Sequence, residues 1–182
     1  MSFKIFLHGL ESSNQGTKSV FFRERYPDII IPNFVGDLQQ RMDKLNRILS
    51  DKSGIRLVGS SFGGLMASIF VMENESRVDR IVLLAPAISL KIKELILSNS
   101  DPESYQIAAR FYDFIDLTDY NEKKISVPVR IYHGRDDDVL PVRDVEHAAK
   151  KVFSNLSFHI VDDDHFLHKT FKAIEWDGLL GE

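Results

Sequence analysis

The 182-residue sequence contains no cysteine. This absence excludes disulfide bonds, thiolate nucleophiles and thiolate metal ligands, and it is consistent with a reducing compartment. The sequence also lacks any stretch that approaches the roughly 20 consecutive apolar residues of a transmembrane helix. Its opening apolar run, residues 1–8, is shorter than a signal peptide and has no cleavage pattern. We therefore expect a soluble, cytoplasmic protein.

An excess of basic residues is absent as well. The formal net charge is −4, and the lysines and arginines are scattered along the chain. This argues against a nucleic-acid partner and against binding to an anionic membrane surface. The hydrophobic fraction of 43% and the charged fraction of 27% are those of an ordinary globular protein. A chain of this length is expected to form a single domain, residues 1–182, with a substantial core.

Six short apolar segments alternate with segments of helical periodicity. The predicted strands are 4–7, 28–31, 55–58, 80–84, 129–132 and 156–161. The predicted helices are 17–25, 38–49, 63–72, 91–97, 101–119, 142–152 and 168–176. Strands that are apolar throughout and alternate with helices are typical of a parallel sheet covered on both faces. We predict an α/β fold with a three-layer, doubly wound sheet of about six parallel strands.

The most informative stretch is IRLVGSSFGGLMA, residues 55–67. Its apolar run, glycine-rich centre and apolar-periodic end predict a strand, an abrupt turn and a helix. Gly59 and Gly63 bracket Ser61 in the spacing Gly-x-Ser-x-Gly, and residues without side chains leave room for so tight a bend. The Ser61 hydroxyl would then project beside the free N–H groups at the start of the helix. These are conditions for a nucleophile, although glycine-flanked serines also occur in ordinary turns.

Polar residues follow several predicted strands directly. These are His8, Ser61, the pair at 133–134 and His165. In an open α/β sheet the ligand crevice lies outside the carboxyl ends of the strands. We therefore expect these residues to converge on one edge of the sheet.

Two aspartate-rich loops supply the partners that a serine nucleophile needs. They are HGRDDDVLP, residues 133–141, and DDDHF, residues 162–166. A serine nucleophile requires a base, and the base requires an orienting acid. The chain order of nucleophile, acid and histidine fits such a triad. The acid is one of the three aspartates of the first loop or, with poorer short-range geometry, one of the second loop.

At these motifs the sequence resembles the α/β-hydrolase superfamily, specifically its small, lid-poor bacterial esterases, over nearly the whole chain. FLHGL at 6–10 is similar to the oxyanion strand end, GSSFG at 59–63 to the nucleophile elbow, the loop at 133–141 to the acid loop, and DHF at 164–166 to the histidine loop. The resemblance implies a minimal fold without the leading antiparallel hairpin. It also implies a short, cap-like insertion at about 89–124, which does not favour bulky lipids as substrates.

The resemblance further implies roles for individual residues. Ser61 is expected to be the nucleophile, His165 the general base and then acid, and Asp137 the residue that orients His165. The backbone N–H groups of Leu10 and Phe62 are expected to form the oxyanion hole. Phe62 and the neighbour of His165, Phe166, are candidates for the substrate pocket.

The implied activity is hydrolysis of a small-molecule carboxylic ester or thioester through an acyl-enzyme, with no cofactor. Two alternatives stay open: a peptidase or acyltransferase with the same triad, and a non-catalytic ligand-binding protein of this fold. The sequence leaves the oligomeric state open. Aspartates and histidines together can bind metal, but no i, i+4 histidine pair with a third ligand occurs, so we expect no metal site.

Other histidines compete with His165 for the role of base. The resemblance implies that His8 braces the oxyanion loop, and His133 is expected to form a hydrogen bond at a strand end. His147 is expected on a solvated helix face. His168 is the remaining alternative, because it lies three residues beyond His165.

Overall fold

The computed structural model describes residues 2–118 and 124–181. Within them five strands form one sheet in sequential order, and every neighbouring pair is parallel. The strands are β1 (Phe3–Leu7), β2 (Ile55–Ser60), β3 (Val78–Leu84), β4 (Val129–Gly134) and β5 (Leu156–Val161). The α-helices of the same residues are α1 (Thr17–Arg25), α2 (Leu38–Ile48), α3 (Phe62–Asn74), α4 (Lys93–Ser98), α5 (Pro102–Leu117), α6 (Val142–Val152) and α7 (Trp176–Leu180).

Two apolar clusters cover the two faces of the sheet. Successive residues of β1 alternate between them: Ile5 and Leu7 belong to the larger cluster and Phe6 to the smaller one. Alternation is expected because neighbouring side chains of a strand point to opposite faces. Helices α2, α3, α5 and α6 contribute to the larger cluster, whereas α1 and α7 contribute Phe22 and Trp176 to the smaller one. The predicted three-layer α/β architecture is therefore confirmed.

The number of strands differs slightly from the predicted six. Residues 28–31 form only an isolated parallel bridge, between Ile30 and Ile5, at the β1 edge of the sheet. Pro27 and Pro32 bracket this segment, and proline has no N–H to donate to a neighbouring strand. The pairing is thereby limited to a single bridge.

The predicted helix at 168–176 is wrong. In its place the chain forms a 3₁₀ turn at Phe171–Ala173, and α7 begins only at the end of the predicted range. The carboxylate of Asp163 accepts hydrogen bonds from the backbone N–H groups of Lys169 and Thr170, at 2.9 and 2.8 Å. These bonds anchor the start of the segment. The helix does not continue, because Ile174 is extended and the indole N–H of Trp176 donates to the Phe171 carbonyl at 2.9 Å, the acceptor that a helix would offer to the N–H of Glu175.

The chain between β3 and β4 contains α4 and α5, and their buried apolar residues belong to the larger cluster. Asp101 begins α5 by accepting hydrogen bonds from the N–H groups of Glu103 and Ser104. The cap-like insertion at about 89–124 stays a prediction. Residues 119–123, with the end of the predicted helix 101–119, lie outside the described residues.

No helix in the described part of the chain combines the length and apolar character needed to cross a bilayer.

Candidate active site

Ser61 stands at a tight turn between β2 and α3. Its φ of 52° and ψ of −116° are rare for a residue with a side chain, and such a conformation costs about 1–3 kcal/mol. Backbone hydrogen bonds hold it in place. The Ser61 N–H donates to the Leu84 carbonyl at 2.9 Å, and the Ser61 carbonyl accepts from the N–H groups of Gly64 and Ala87 at 2.8 and 3.0 Å. The end of β3 therefore fixes the strained serine.

The glycines around Ser61 allow backbones to approach closely. A Cβ on Gly59 would lie 2.5 Å from the Gly63 carbonyl oxygen, and a Cβ on Gly63 would lie 2.1 Å from the Leu7 carbonyl oxygen. Real side chains do not tolerate such distances, so both positions require glycine. A Cβ on Gly9 would lie 3.5 Å from the Cβ of Ser61. The loop after β1 thus lies directly against the serine.

The imidazole of His165 joins Ser61 to Asp137. Its Nε2 is 3.0 Å from the Ser61 Oγ, and its Nδ1 is 2.8 Å from the Asp137 Oδ2. An ionised carboxylate can only accept hydrogen bonds, so Nδ1 carries the proton and Nε2 is left to accept the serine hydroxyl. Ser61 follows β2, Asp137 follows β4 and His165 follows β5. The structure therefore brings the three predicted residues together at the carboxyl edge of the sheet.

The Asp137 carboxylate is buried, and both of its oxygens accept hydrogen bonds. Its Oδ1 accepts from the N–H groups of Val139 and Leu140 at 3.0 and 2.7 Å. Its Oδ2 accepts from His165 and lies 3.1 Å from the Nε2 of His133. Burial alone would raise the pKa of Asp137, but the hydrogen bonds from His133, His165 and the Leu140 N–H outweigh burial and hold the pKa well below its usual range. The group is a carboxylate at neutral pH.

The other candidate acids have different surroundings. Asp136 and Asp138 are exposed on either side of Asp137. In the second aspartate loop, Asp163 binds backbone N–H groups of its own loop, and the Asp164 Oδ1 accepts from the Phe166 N–H at 2.8 Å.

Within residues 2–118 and 124–181, no three histidine or carboxylate side chains form a group that could hold a metal ion.

The other histidines make contacts away from Ser61. The Nε2 of His8 accepts from the Phe34 N–H at 2.9 Å, and its Nδ1 donates to the Gly9 carbonyl at 2.8 Å. Burial lowers the pKa of His8. The His168 side chain is 67% exposed, and its Nδ1 lies 3.9 Å from the Asp164 Oδ2. His8 therefore braces the loop after β1, and His168 faces solvent.

The backbone N–H groups of Leu10 and Phe62 belong to the two segments that meet at the serine. Leu10 follows Gly9, which lies against Ser61, and Phe62 is the first residue of α3. Among the hydrogen bonds of the described residues, neither N–H is a donor. Unpaired backbone N–H groups beside a nucleophile are what an oxyanion hole requires.

The two predicted pocket residues differ in exposure. The Phe62 side chain is partly buried against the larger cluster. Phe166 is 56% exposed, and its ring packs edge-on to His165 with centroids 5.6 Å apart and stacks on His168 at 5.3 Å. Phe166 thus presents an apolar surface next to the imidazole.

Comparison with known proteins places the chain in a family. A family model described as "Uncharacterised protein family (UPF0227)" matches residues 3–176. The chain belongs to this family. No curated protein matches it.

Solved structures resemble this UPF0227 chain in fold. Est1E from Butyrivibrio proteoclasticus has a TM-score of 0.72 at 18% identity, covering 95% of this chain and 83% of that one. The esterase Pf2001 from Pyrococcus furiosus has a TM-score of 0.66 at 20% identity, covering 99% and 79%. Alpha/beta hydrolase domain-containing protein 10 from mouse has 0.67 at 16% identity, covering 91% and 82%. The UPF0227 chain therefore has the α/β-hydrolase fold, as its sequence predicts.

Three charged residues that support the site were not predicted. The Lys18 Nζ donates to the Phe166 carbonyl at 2.7 Å, and Asp163 fixes the turn after His165. The Arg41 Nη2 donates to the Leu10 carbonyl at 3.2 Å. The sequence of this UPF0227 chain does indicate that Arg41 is buried, because Arg41 falls at a helical spacing from the apolar residues of α2.

Proposed function

We propose that this chain is a serine hydrolase that cleaves a carboxylic ester or thioester through an acyl-enzyme on Ser61. The observation that carries the proposal is the position of the His165 ring, within hydrogen-bond distance of both the Ser61 hydroxyl and the Asp137 carboxylate. The fold is compatible with this activity, since two structural neighbours, Pf2001 and the Exiguobacterium antarcticum protein, are named esterases.

In the proposed acylation step, the Ser61 Oγ attacks the carbonyl carbon of the substrate, and its proton passes to the Nε2 of His165. The carbonyl oxygen gains negative charge and accepts hydrogen bonds from the N–H groups of Leu10 and Phe62. The imidazolium then donates its proton to the departing alcohol or thiol. Asp137 stabilises the imidazolium and stays ionised throughout, consistent with its lowered pKa.

Deacylation repeats this sequence with water as the nucleophile. His165 removes a proton from water, the resulting hydroxide adds to the acyl carbon, and the proton returns to the Ser61 Oγ as the carboxylic acid leaves. No cofactor takes part in either step. The exposed ring of Phe166 is proposed to contact the apolar part of the substrate, next to the reacting carbonyl.

A substrate panel tests this proposal. It contains nitrophenyl esters of several acyl lengths, acyl-CoA thioesters, methyl ferulate and nitroanilides; methyl ferulate is included because Est1E is described with ferulic acid bound. We expect turnover of esters or thioesters, and a loss of about a thousandfold or more in Ser61→Ala. Ser60→Ala is the matched control, because this neighbouring hydroxyl has no hydrogen bond to His165.

Other outcomes of the panel distinguish the alternative functions. Turnover confined to nitroanilides would identify a peptidase, and acyl transfer to an added acceptor in preference to water would identify an acyltransferase. Retained binding without turnover, equal in wild type and Ser61→Ala, would indicate a ligand-binding protein and contradict the proposal.

A further inference from the structure

Arg41 is a charged residue in the protein interior. It lies on α2 and is only 4% exposed. Its neighbours on the buried face of the helix are apolar: Leu38, Met42 and Leu45. A guanidinium keeps its charge at neutral pH, and burying a charge without a counter-ion is unfavourable. The position therefore requires an explanation beyond packing.

The contacts of Arg41 are with backbone carbonyls and an aromatic ring. Its Nε donates to the Gly36 carbonyl at 2.8 Å and its Nη2 to the Leu10 carbonyl at 3.2 Å. The centre of the guanidinium lies 5.6 Å from the centroid of the Phe62 ring. No carboxylate in the described ranges forms an ion pair with it, and its buried Nη1 has no hydrogen-bond partner there. Burial lowers the pKa of Arg41, and the nearby Asp37 partly offsets this effect.

These contacts join Arg41 to both proposed donors of the oxyanion hole. Leu10 and Phe62 come from different elements, the loop after β1 and the start of α3, and Arg41 contacts both of them. The His8 ring, which braces the same loop, is also close enough for the Arg41 charge to lower its pKa, after the larger effect of burial. The positive charge thus lies against the two residues whose N–H groups are proposed to bind the negative charge of the reaction.

We infer that Arg41 is a positioning residue for the oxyanion hole, which fixes Leu10 relative to Phe62 and supplies the positive charge that stabilises the tetrahedral oxyanion. This inference rests on the proposed function. It accounts for a buried cation that forms no direct ion pair in the described part of the chain, because a further negative charge forms on the substrate during the reaction. Preorganised charges of this kind act strongly in sites of low dielectric constant.

Arg77 provides a matched control. Its Nε donates to the Lys52 carbonyl at 3.0 Å, its Nη2 donates to the Leu49 carbonyl, and its guanidinium lies 5.8 Å from the Phe70 ring. It precedes β3, at the amino end of the sheet and away from Ser61. Both arginines donate to two backbone carbonyls and lie near a phenylalanine ring, but Arg77 is only partly buried and its Nη1 donates to the Asn74 Oδ1 at 3.0 Å.

The test compares Arg41→Met, Arg41→Lys and Arg77→Met in an ester hydrolysis assay, together with the inhibition constant of a trifluoromethyl ketone, whose serine adduct carries an oxyanion. We expect Arg41→Met to lower kcat by about 100-fold, with KM changed by less than about threefold. Affinity for the ketone should fall in parallel with kcat/KM. Arg41→Lys should lose about tenfold, because lysine keeps the charge but not the two-carbonyl geometry. Arg77→Met should lower Tm and leave kcat unchanged.

Several results would overturn the inference. Wild-type kcat in folded Arg41→Met would do so, as would equal losses of kcat in Arg41→Met and Arg77→Met at equal losses of Tm. If Arg41→Met does not fold, wild-type kcat and ketone affinity in Arg41→Lys would also overturn it. A wild-type protein without any hydrolytic turnover would instead contradict the proposed function, so the two failures are distinguishable.

Discussion

At the scale of single residues, the site depends on the ring of His165, because it contacts both the serine and the acid. The chain has other histidines with fixed contacts, such as His8 between Phe34 and Gly9. Only a ring with one nitrogen on a carboxylate and the other on the serine can move the serine proton in the proposed mechanism.

Replacement of His165 is therefore expected to affect turnover far more than replacement of its neighbour. We predict that His165→Ala lowers kcat by about a thousandfold or more, since the serine loses its base. His168→Ala should remain within about threefold of wild type, because the His168 ring is exposed and has no bond to Ser61. The measurement is kcat for an ester hydrolysed by the wild type. The reverse ranking would reassign the base to His168.

The spacing Gly-x-Ser-x-Gly indicated Ser61, and the resemblance to α/β hydrolases implied His165 and Asp137, but the structure was needed for the surroundings of the acid. Three consecutive aspartates follow β4, and the turn of the loop decides which one points inward. Only Asp137 receives the N–H groups of Val139 and Leu140. Arg41 was missed for a related reason: its position among the apolar residues of α2 indicates burial, but its partners Leu10 and Phe62 are distant in sequence.

At the scale of elements, the turn between β2 and α3 requires close contact with the end of β1. A Cβ on Gly63 would lie 2.1 Å from the Leu7 carbonyl oxygen and 2.8 Å from that of His8. The contact is backbone to backbone, so no side-chain rotation can relieve it. The geometry of the serine and of the loop after β1 is therefore coupled.

A methyl group on Gly63 is expected to disrupt this coupling. We predict that Gly63→Ala destabilises the fold by about 3 kcal/mol or more and abolishes turnover, because β1 and α3 must separate. Gly178→Ala is the control, since a Cβ at this position in α7 would meet no atom within 4 Å. It should be neutral or stabilise by up to about 1 kcal/mol. Urea unfolding and ester hydrolysis measure both effects, and a Gly63→Ala protein of wild-type stability would contradict the packing.

Element boundaries were predictable where the chain carries clear local signals. The predicted ranges 17–25, 142–152 and 156–161 coincide with α1, α6 and β5. The predictions for 28–31 and 168–176 differ from the structure because Pro27 and Pro32 limit the strand pairing, and because the Trp176 indole occupies a carbonyl that a helix over 168–176 would need. The spacing of apolar residues along the chain, from which these two elements were predicted, reflects neither of these effects.

At the scale of the whole molecule, the buried neutral His8 links the stability of the fold to pH. Its folded-state pKa is lowered by burial from the ordinary value of 6.5, so the unfolded chain binds the proton more readily. The contribution of His8 to stability is therefore full above pH 6.5 and declines as the pH falls below this value. His159, whose pKa is also lowered by burial, contributes in the same direction.

Comparison with a His8→Asn protein isolates this contribution, because His159 remains in both proteins. Asparagine can accept the Phe34 N–H and does not titrate. We predict that the free energy of unfolding falls less steeply between about pH 7.5 and about pH 5 in His8→Asn than in the wild type. Urea unfolding at a series of pH values measures the slopes. Identical slopes would show that His8 is not held neutral in the folded protein.

The most direct measurement of the central claim is covalent labelling of the folded protein with a fluorophosphonate probe, followed by intact mass and peptide mapping. We predict one adduct per chain, on the Ser61 Oγ, with no adduct in Ser61→Ala and much slower labelling in His165→Ala. An unlabelled wild-type protein, or equal labelling of wild type and Ser61→Ala, would contradict the role of Ser61 as the nucleophile.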